Sequence, residues 1–276
     1  MVRTALTLAA VLNAAVVGAS ELSSPPPEPL EKDTSDTLGR RLNRFFGRDG
    51  SGVRGCDDKC LGIMPPHRDA SWYASVLGAA GLTPSTAAEV GVGNRAGLGG
   101  TSHALAKVFH SLHLFDFEDV LSAQMVRLRR HNSTGTGTGT YATVVPHPNS
   151  HLPKDSYTYS LKALLRLPAA ARPVFDYVYI DAAHEWQHDG FAFLLLDKML
   201  RDGGIMEFDD YEWSFANSPT VMHENGDSVR LQYPPSQISE PQVKEVVDLL
   251  VATNPRYVTL KRGRIYRKLR SEYIQP

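Results

Sequence analysis

One stretch limits what this chain can fold into more than any other. It runs from Phe175 to Tyr211 and reads FDYVYIDAAHEWQHDGFAFLLLDKMLRDGGIMEFDDY. An apolar run, Tyr177-Val178-Tyr179-Ile180, stops at Asp181. A helix-like segment follows and ends in Asp202-Gly203-Gly204. A second apolar run, Ile205 and Met206 with Phe208 after Glu207, stops at Asp209-Asp210. Strand, crossover helix and strand make a βαβ unit. Its two parallel strands end on one rim of the sheet, and ligands of open α/β sheets bind outside that rim. The spacing therefore brings Asp181, Asp209 and Asp210 toward one point, with His184 in the loop leaving the first strand.

The chain before this unit has the same rhythm. Ser71 to Ala80 reads as a short helix and Thr86 to Val90 as a strand. The strand opens into Glu89-Val90-Gly91-Val92-Gly93-Asn94-Arg95-Ala96-Gly97, then Gly99-Gly100. Thr101 or Ser102 can cap the next helix, whose apolar face includes Leu105, Ala106 and Phe109. A glycine-rich turn at that place lets a ligand approach the backbone, and the free amides of the helix start bind its polar groups. Leu112 to Phe115 is a second strand that ends at Asp116. An acid about 20 residues beyond such a turn suits ribose hydroxyls, and Glu118 is the alternative at this strand end. Gln124 to Arg130 is a helix, Asn132 to Thr140 a low-complexity loop, Tyr141 to Val145 a third strand, and Ser160 to Leu167 a helix.

After Tyr211, the segment Glu212 to Ser239 reads as irregular, a lid or binding loop that carries Trp213, Phe215, His223 and Tyr233. Glu240 to Ala252 is an amphipathic helix with Val243, Val246, Val247 and Leu250 on one face. Arg256 to Leu260 and Arg264 to Leu269 then read as two strands joined at Lys261-Arg262-Gly263.

The N-terminus reads as a targeting segment. Arg3 precedes an apolar run from Ala5 to Val17, and the small residues Gly18-Ala19-Ser20 follow. Residues 1–20 are expected to be a secretory signal peptide. A retained Golgi anchor, or the first step of plastid import, would read the same. The run is shorter than the roughly 20 residues a spanning helix prefers, so stable membrane insertion is expected only if the segment is kept. Residues 21–65, with Pro25-Pro26-Pro27, read as a disordered or irregular stem, and 66–276 as the folded domain. Cys56 and Cys60 can close one small disulfide loop in an oxidising compartment; two thiols alone do not make a zinc site. Asn132-Ser133-Thr134 is a glycosylation sequon, in keeping with a secreted glycoprotein. A formal net charge of -1 supplies no basic face for nucleic acid and leaves a small-molecule or glycan partner.

Strands alternating with helices and closed by a hairpin define a doubly wound, Rossmann-like α/β sheet. From about Ser71 to Leu269 the pattern resembles the class I S-adenosylmethionine-dependent methyltransferases. Glu89-Val90-Gly91-Val92-Gly93 is similar to that family's acidic-x-Gly-x-Gly signature. Ile180-Asp181-Ala182-Ala183-His184, Leu200-Arg201-Asp202-Gly203-Gly204 and Phe208-Asp209-Asp210-Tyr211 resemble a subgroup of small-molecule and sugar O-methyltransferases, some of them metal-dependent. The resemblance implies a mostly parallel seven-stranded sheet with a C-terminal antiparallel hairpin, S-adenosyl-L-methionine as cofactor, and Mg²⁺ in the metal-assisted case. It implies that Glu89, Gly91 and Gly93 hold the cofactor's methionine end, that Asp116 binds its ribose, and that Asp181 lies beside it. It also implies Asp181, Asp209 and Asp210 as cation ligands and His184 as the base, with Asp181 sharing in catalysis. One departure is that Arg95 stands where the family places its third glycine, and the next glycine is Gly97.

The chemistry agrees with these residue types. Methyl transfer is an in-line displacement, so the protein mainly aligns an oxygen nucleophile and removes its proton. Carboxylates suit a hard divalent cation, and a histidine accepts protons near neutral pH. Other functions fit parts of the pattern. A nicotinamide-dependent oxidoreductase would use the same turn and ribose acid, but G-x-G-x-x-G is broken at Ala96. A non-catalytic binding protein could keep the fold. A metal-dependent glycosyltransferase would want a separated Asp-x-Asp, which Asp209-Asp210 only imitates.

Overall fold

The computed structural model describes residues 69–93, 100–133, 141–152 and 155–269. The signal-like segment, the stem, Cys56, Cys60, Asn94 to Gly99 and Thr134 lie outside the described residues. The strands are β1 (Thr86–Val90), β2 (Ser111–Phe117), β3 (Thr143–Asn149), β4 (Phe175–Ile180), β5 (Leu200–Phe208), β6 (Tyr257–Lys261) and β7 (Ile265–Lys268). They form one seven-stranded sheet in the order β3-β2-β1-β4-β5-β7-β6. β1 to β5 pair in parallel, and β7 runs antiparallel to both β5 and β6. This is the doubly wound sheet with a C-terminal antiparallel hairpin that the sequence predicts.

Period-two alternation builds the two layers. In β4 every residue is buried, as a central parallel strand requires. Val178 and Ile180 face α4 (Tyr157–Leu165), α5 (Trp186–Asp197) and α8 (Gln242–Val246). Tyr177 and Tyr179 face α1 (Ala70–Ala79), α2 (Gly100–Val108) and α3 (Glu118–Ser133) on the other side. Strand order reverses between β1 and β4, which opens the crevice where such sheets take ligands. The opposite edge is tied by Asp176, 2% exposed, whose carboxylate accepts from Ser85 N, Thr86 N and Arg201.

Four segments differ from the sequence reading. β3 continues through Pro146-His147-Pro148 to Asn149, which is possible because β3 is the sheet edge and its prolines need no partner on the outer side. Asp202-Gly203-Gly204 is not the end of a helix. α5 stops at Asp197, and these residues lie inside β5, where Gly203 takes φ +81 and the register against β4 shifts. Glu212 to Ser239 is mostly helical, with α6 (Pro219–Gln232) and α7 (Pro235–Ser239). Their prolines sit at the first helical turn, where the missing N–H has no partner to lose. The expected helix of Glu240 to Ala252 is α8 followed by a π-helical turn, Val247–Val251. No helix among the described residues is long and apolar enough to cross a membrane.

Candidate functional site

The ladder of β1, β4 and β5 runs one step past the strand ends. Asp181 N donates to Val90 O and Asp209 N to Ile180 O, both at 2.9 Å. Gly91 N donates to Phe115 O at 2.9 Å. Gly91, Asp181 and Asp209 therefore start three neighbouring loops on one rim. Gly91 takes φ +83, and a Cβ there would stand 1.8 Å from Asp181 O. The glycine is demanded by the close approach of two backbones rather than by room for a ligand. Gly93 also has positive φ, +68, but a Cβ there would meet no atom of the described residues within 4 Å.

Glu89 is 2% exposed, and its Oε2 has no hydrogen-bond partner among the described residues. Burial pushes its carboxyl up to about 8; a hydrogen bond with Ser102 opposes this, and the charges of Asp181 and Asp116 add to it. Asp116 lies near the end of β2, where the sequence expects a ribose ligand. Its Oδ2 accepts from Val92 N at 2.7 Å and Gly93 N at 3.0 Å, and its Oδ1 accepts from Phe117 N. Asp116 thus fixes the described part of the glycine turn.

Beyond β4 the loop is bent around Asp189, which is 1% exposed in the first turn of α5. Its carboxylate accepts from Ala183 N, His184 N at 2.9 Å and the Tyr157 hydroxyl at 2.5 Å. This clamp holds His184 at φ 60, and Asp210 after β5 sits at φ 52. Among the described residues these are the non-glycine ones in the left-handed region, a conformation that costs about 1 kcal/mol or more and gathers at functional sites. His184 Nε2 lies 2.6 Å from Asp210 Oδ2 and 3.5 Å from Asp181 Oδ1. Its Nδ1 donates to Ala182 O at 2.7 Å. Burial opposes charge on this ring, but the Asp210 hydrogen bond and the carboxylates of Asp181, Asp210 and Asp189 lift it to about 9. A proton on Nε2, shared with Asp210, would have to leave before that nitrogen could hold a cation.

Asp181, His184 and Asp210 offer ligand atoms all within 4.8 Å of one another. Asp209, expected in the same cluster, turns elsewhere. Its Oδ2 accepts a short hydrogen bond from Tyr179 and its Oδ1 pairs with Arg264 at 3.2 Å. The sequence reading could not foresee this, because the partners come from a neighbouring strand and from the hairpin. His184 likewise differs from an isolated base: its ring is engaged at both nitrogens.

Trp213 packs edge-on against His184, Phe215 against Trp213, and Tyr233 against Phe215. Tyr233 and His188 both make short hydrogen bonds to Glu185. The segment read as a loop therefore forms an aromatic wall beside the cluster, fastened to the start of α5. Asn149, at the end of β3, was not singled out by sequence; it is buried with Oδ1 unpartnered among the described residues.

No protein-family model matches the sequence, and no curated protein does. Solved structures do match. The chain is similar to the O-methyltransferase from Bacillus cereus in complex with SAH, at 14% identity and TM-score 0.45, over 85% of this chain and 91% of that one. It is similar to the O-methyltransferase TomG from Streptomyces achromogenes in complex with SAM, at 14% identity and TM-score 0.46, over 87% and 92%. It is similar to the MycE methyltransferase of the mycinamycin biosynthetic pathway, in complex with Mg, SAH and mycinamycin VI, at 15% identity and TM-score 0.40. There the match covers 87% of this chain and 56% of MycE, so the chain spans little more than half of that protein. Similarity at this level assigns no residue a role.

Proposed function

We propose that this chain is an S-adenosylmethionine-dependent methyltransferase that methylates a hydroxyl of a small or sugar acceptor, assisted by a divalent cation. The observation that carries the reading is Glu89: a buried carboxyl whose Oε2 has no hydrogen-bond partner among the described residues, at the end of the first strand, near Asp116 and Asp181. A buried carboxylate oxygen without a partner is costly, and a cationic ligand group relieves it. S-adenosylmethionine brings a sulfonium and an ammonium against a single carboxylate. A nicotinamide dinucleotide or a nucleotide sugar would bring a diphosphate, which offers the buried Glu89 carboxyl no cationic partner.

The cation reading rests on donor chemistry. Asp181 and Asp210 supply oxygens and His184 Nε2 a nitrogen, while His184 Nδ1 stays bonded to Ala182 O, as histidine ligands usually are. Two carboxylates and an imidazole suit Mn²⁺ better than Mg²⁺, which prefers oxygen alone. When bound, the cofactor supplies an electrophilic methyl, and the cation lowers the acceptor hydroxyl's pKa. In this reading His184 is a ligand rather than the free base that the sequence suggests. S-adenosylmethionine, held by the rim at Glu89, Gly91 and Asp116, would supply the methyl group to the acceptor oxygen, and the partly exposed carboxylates of Asp181 and Asp210 would take up the hydroxyl proton. Trp213 and the aromatic wall line the acceptor side. The signal-like segment would place the reaction in the secretory pathway; mass spectrometry of the native protein showing an intact Met1 would contradict cleavage.

The experiment is methyl transfer from labelled S-adenosylmethionine to a panel of hydroxylated acceptors, with chelator, with Mn²⁺ and with Mg²⁺. Transfer that needs the cation supports the reading. Transfer that survives chelation removes the cation from it, and no transfer to any acceptor contradicts the enzyme.

A pH dependence follows from Glu89. Its folded pKa of about 8 lies above the usual 4.5, so the free protein holds this proton at neutral pH. A cationic ligand favours the ionised form and releases the proton. Cofactor affinity should therefore rise as pH rises from about 6 toward 8. In Glu89→Gln that rise should be absent. Calorimetry in buffers of different ionisation enthalpy measures the released proton directly, and an unchanged pH profile in the variant would separate Glu89 from cofactor binding.

A further inference from the structure

A chain of polar side chains lies beneath the site. Register pairs Glu89 with Tyr179 and Tyr179 with Glu207, so a row of buried polar groups crosses β1, β4 and β5. Glu207 is fully buried and accepts from the Tyr177 hydroxyl and from Arg264 Nε at 2.9 Å. Arg264 enters from the start of β7, where its carbonyl accepts from Phe208 N. It reaches past Glu207 to Asp209 Oδ1 at 3.2 Å. Asp209 Oδ2 accepts from the Tyr179 hydroxyl, which also lies 3.4 Å from Asp181 Oδ2. Asp181 Oδ1 faces His184 Nε2.

Each contact constrains the next. Arg264 is a planar fork with no acceptor, and its donors hold two carboxylates at once. It draws Asp209 away from Asp181 and Asp210, which would otherwise crowd a third negative charge onto the same point. Tyr179 has one hydroxyl proton. It goes to Asp209, while the hydroxyl oxygen lies 3.4 Å from Asp181 Oδ2 and leaves Oδ1 facing His184.

We propose that Tyr179, Asp209 and Arg264 are positioning residues for the cation held by Asp181, His184 and Asp210, with Asp209 outside the ligand set. This rests on the cation reading above. Nothing in the proposal requires Asp209 to touch the ion. Removal of the Tyr179 hydroxyl takes away the contact beside Asp181 Oδ2 and the donor to Asp209, so it should weaken the ion's grip while leaving the cofactor's binding alone. Outer partners of metal ligands commonly change affinity by about 10- to 100-fold when removed.

The probe is Mn²⁺ alone, titrated into the full chain and followed by electron paramagnetic resonance, with S-adenosylmethionine affinity measured alongside. Tyr179→Phe should weaken Mn²⁺ about tenfold and broaden the bound signal, with cofactor affinity within about twofold. Asp209→Asn keeps an acceptor for Tyr179 and should cost only a few-fold, whereas Asp181→Ala should abolish binding. Arg264→Lys should retain much of the affinity that Arg264→Met loses, and circular dichroism verifies that each variant is folded. If Arg264→Met does not fold, Tyr179→Phe and Asp209→Asn decide the matter. Unchanged Mn²⁺ affinity in Tyr179→Phe overturns the proposal. So does loss in Asp209→Asn as complete as in Asp181→Ala, which would make Asp209 a ligand. Failure of the unaltered protein to bind Mn²⁺ contradicts the cation reading itself, and the positioning role falls with it.

Discussion

Gly91→Ala is expected to destabilise the fold by about 3 to 5 kcal/mol and to abolish cofactor binding, the sum of a left-handed backbone strain and a forced overlap. The added methyl group would stand 1.8 Å from Asp181 O and 2.5 Å from its carbonyl carbon, both backbone atoms. A flexible side chain could swing aside, but these atoms belong to the loop that leaves β4. Relief requires β1 and β4 to part at the rim where Asp181 N meets Val90 O. Gly93→Ala is the control. Its φ is equally left-handed at +68, yet no atom of the described residues lies within 4 Å, so it should cost only about 1 kcal/mol. Urea unfolding of the two variants measures the difference. Equal losses would mean that conformation alone, and not the contact with Asp181, requires the glycine at 91.

Asp181→Ala is expected to lower methyl transfer by about a thousandfold or more while the protein stays folded. The side chain is 29% exposed, and the strand-end hydrogen bond to Val90 uses the backbone N–H, which alanine keeps. Removing it also takes one negative charge from the neighbourhood of Asp209 and Asp210, so stability should hold or rise slightly. Thermal unfolding and turnover, measured on the same preparation, separate the two effects. A stable variant that keeps near-normal turnover would move the chemistry away from the end of β4.

The parts of the molecule legible in sequence were those fixed by local pattern. The apolar runs of β4 and β5, each stopped by an acid, gave both strands and the rim. Glu89, Gly91 and Gly93 announced the turn after β1, and Lys261-Arg262-Gly263 the hairpin. Where reading failed, the signal was ambiguous for a physical reason. Pro219 and Pro235 look like breakers but open helices, and the polar sequence of α6 hides its periodicity. Pro146 and Pro148 look incompatible with a strand, and are tolerated because β3 is an edge. The site was legible as a set of strand-end acids but not as an arrangement. Asp189 clamps His184 from inside α5, Tyr179 reaches Asp209 from the neighbouring strand, and Arg264 reaches Glu207 from 57 residues away. Such partnerships depend on tertiary register, which local spacing does not encode. His184 and Asp210 in left-handed backbone were equally invisible before the fold was in hand.

The central claim is that the rim around Glu89, Asp116 and Asp181 takes S-adenosylmethionine, whose cationic groups pair with the buried Glu89, rather than a nicotinamide dinucleotide. Calorimetric titration of the full chain with S-adenosylmethionine and, in parallel, with oxidised nicotinamide dinucleotide tests it most directly. The account predicts saturable binding of S-adenosylmethionine, with proton release near neutral pH, and no measurable heat from the dinucleotide. Binding of the dinucleotide in preference to S-adenosylmethionine, or of neither, would contradict it.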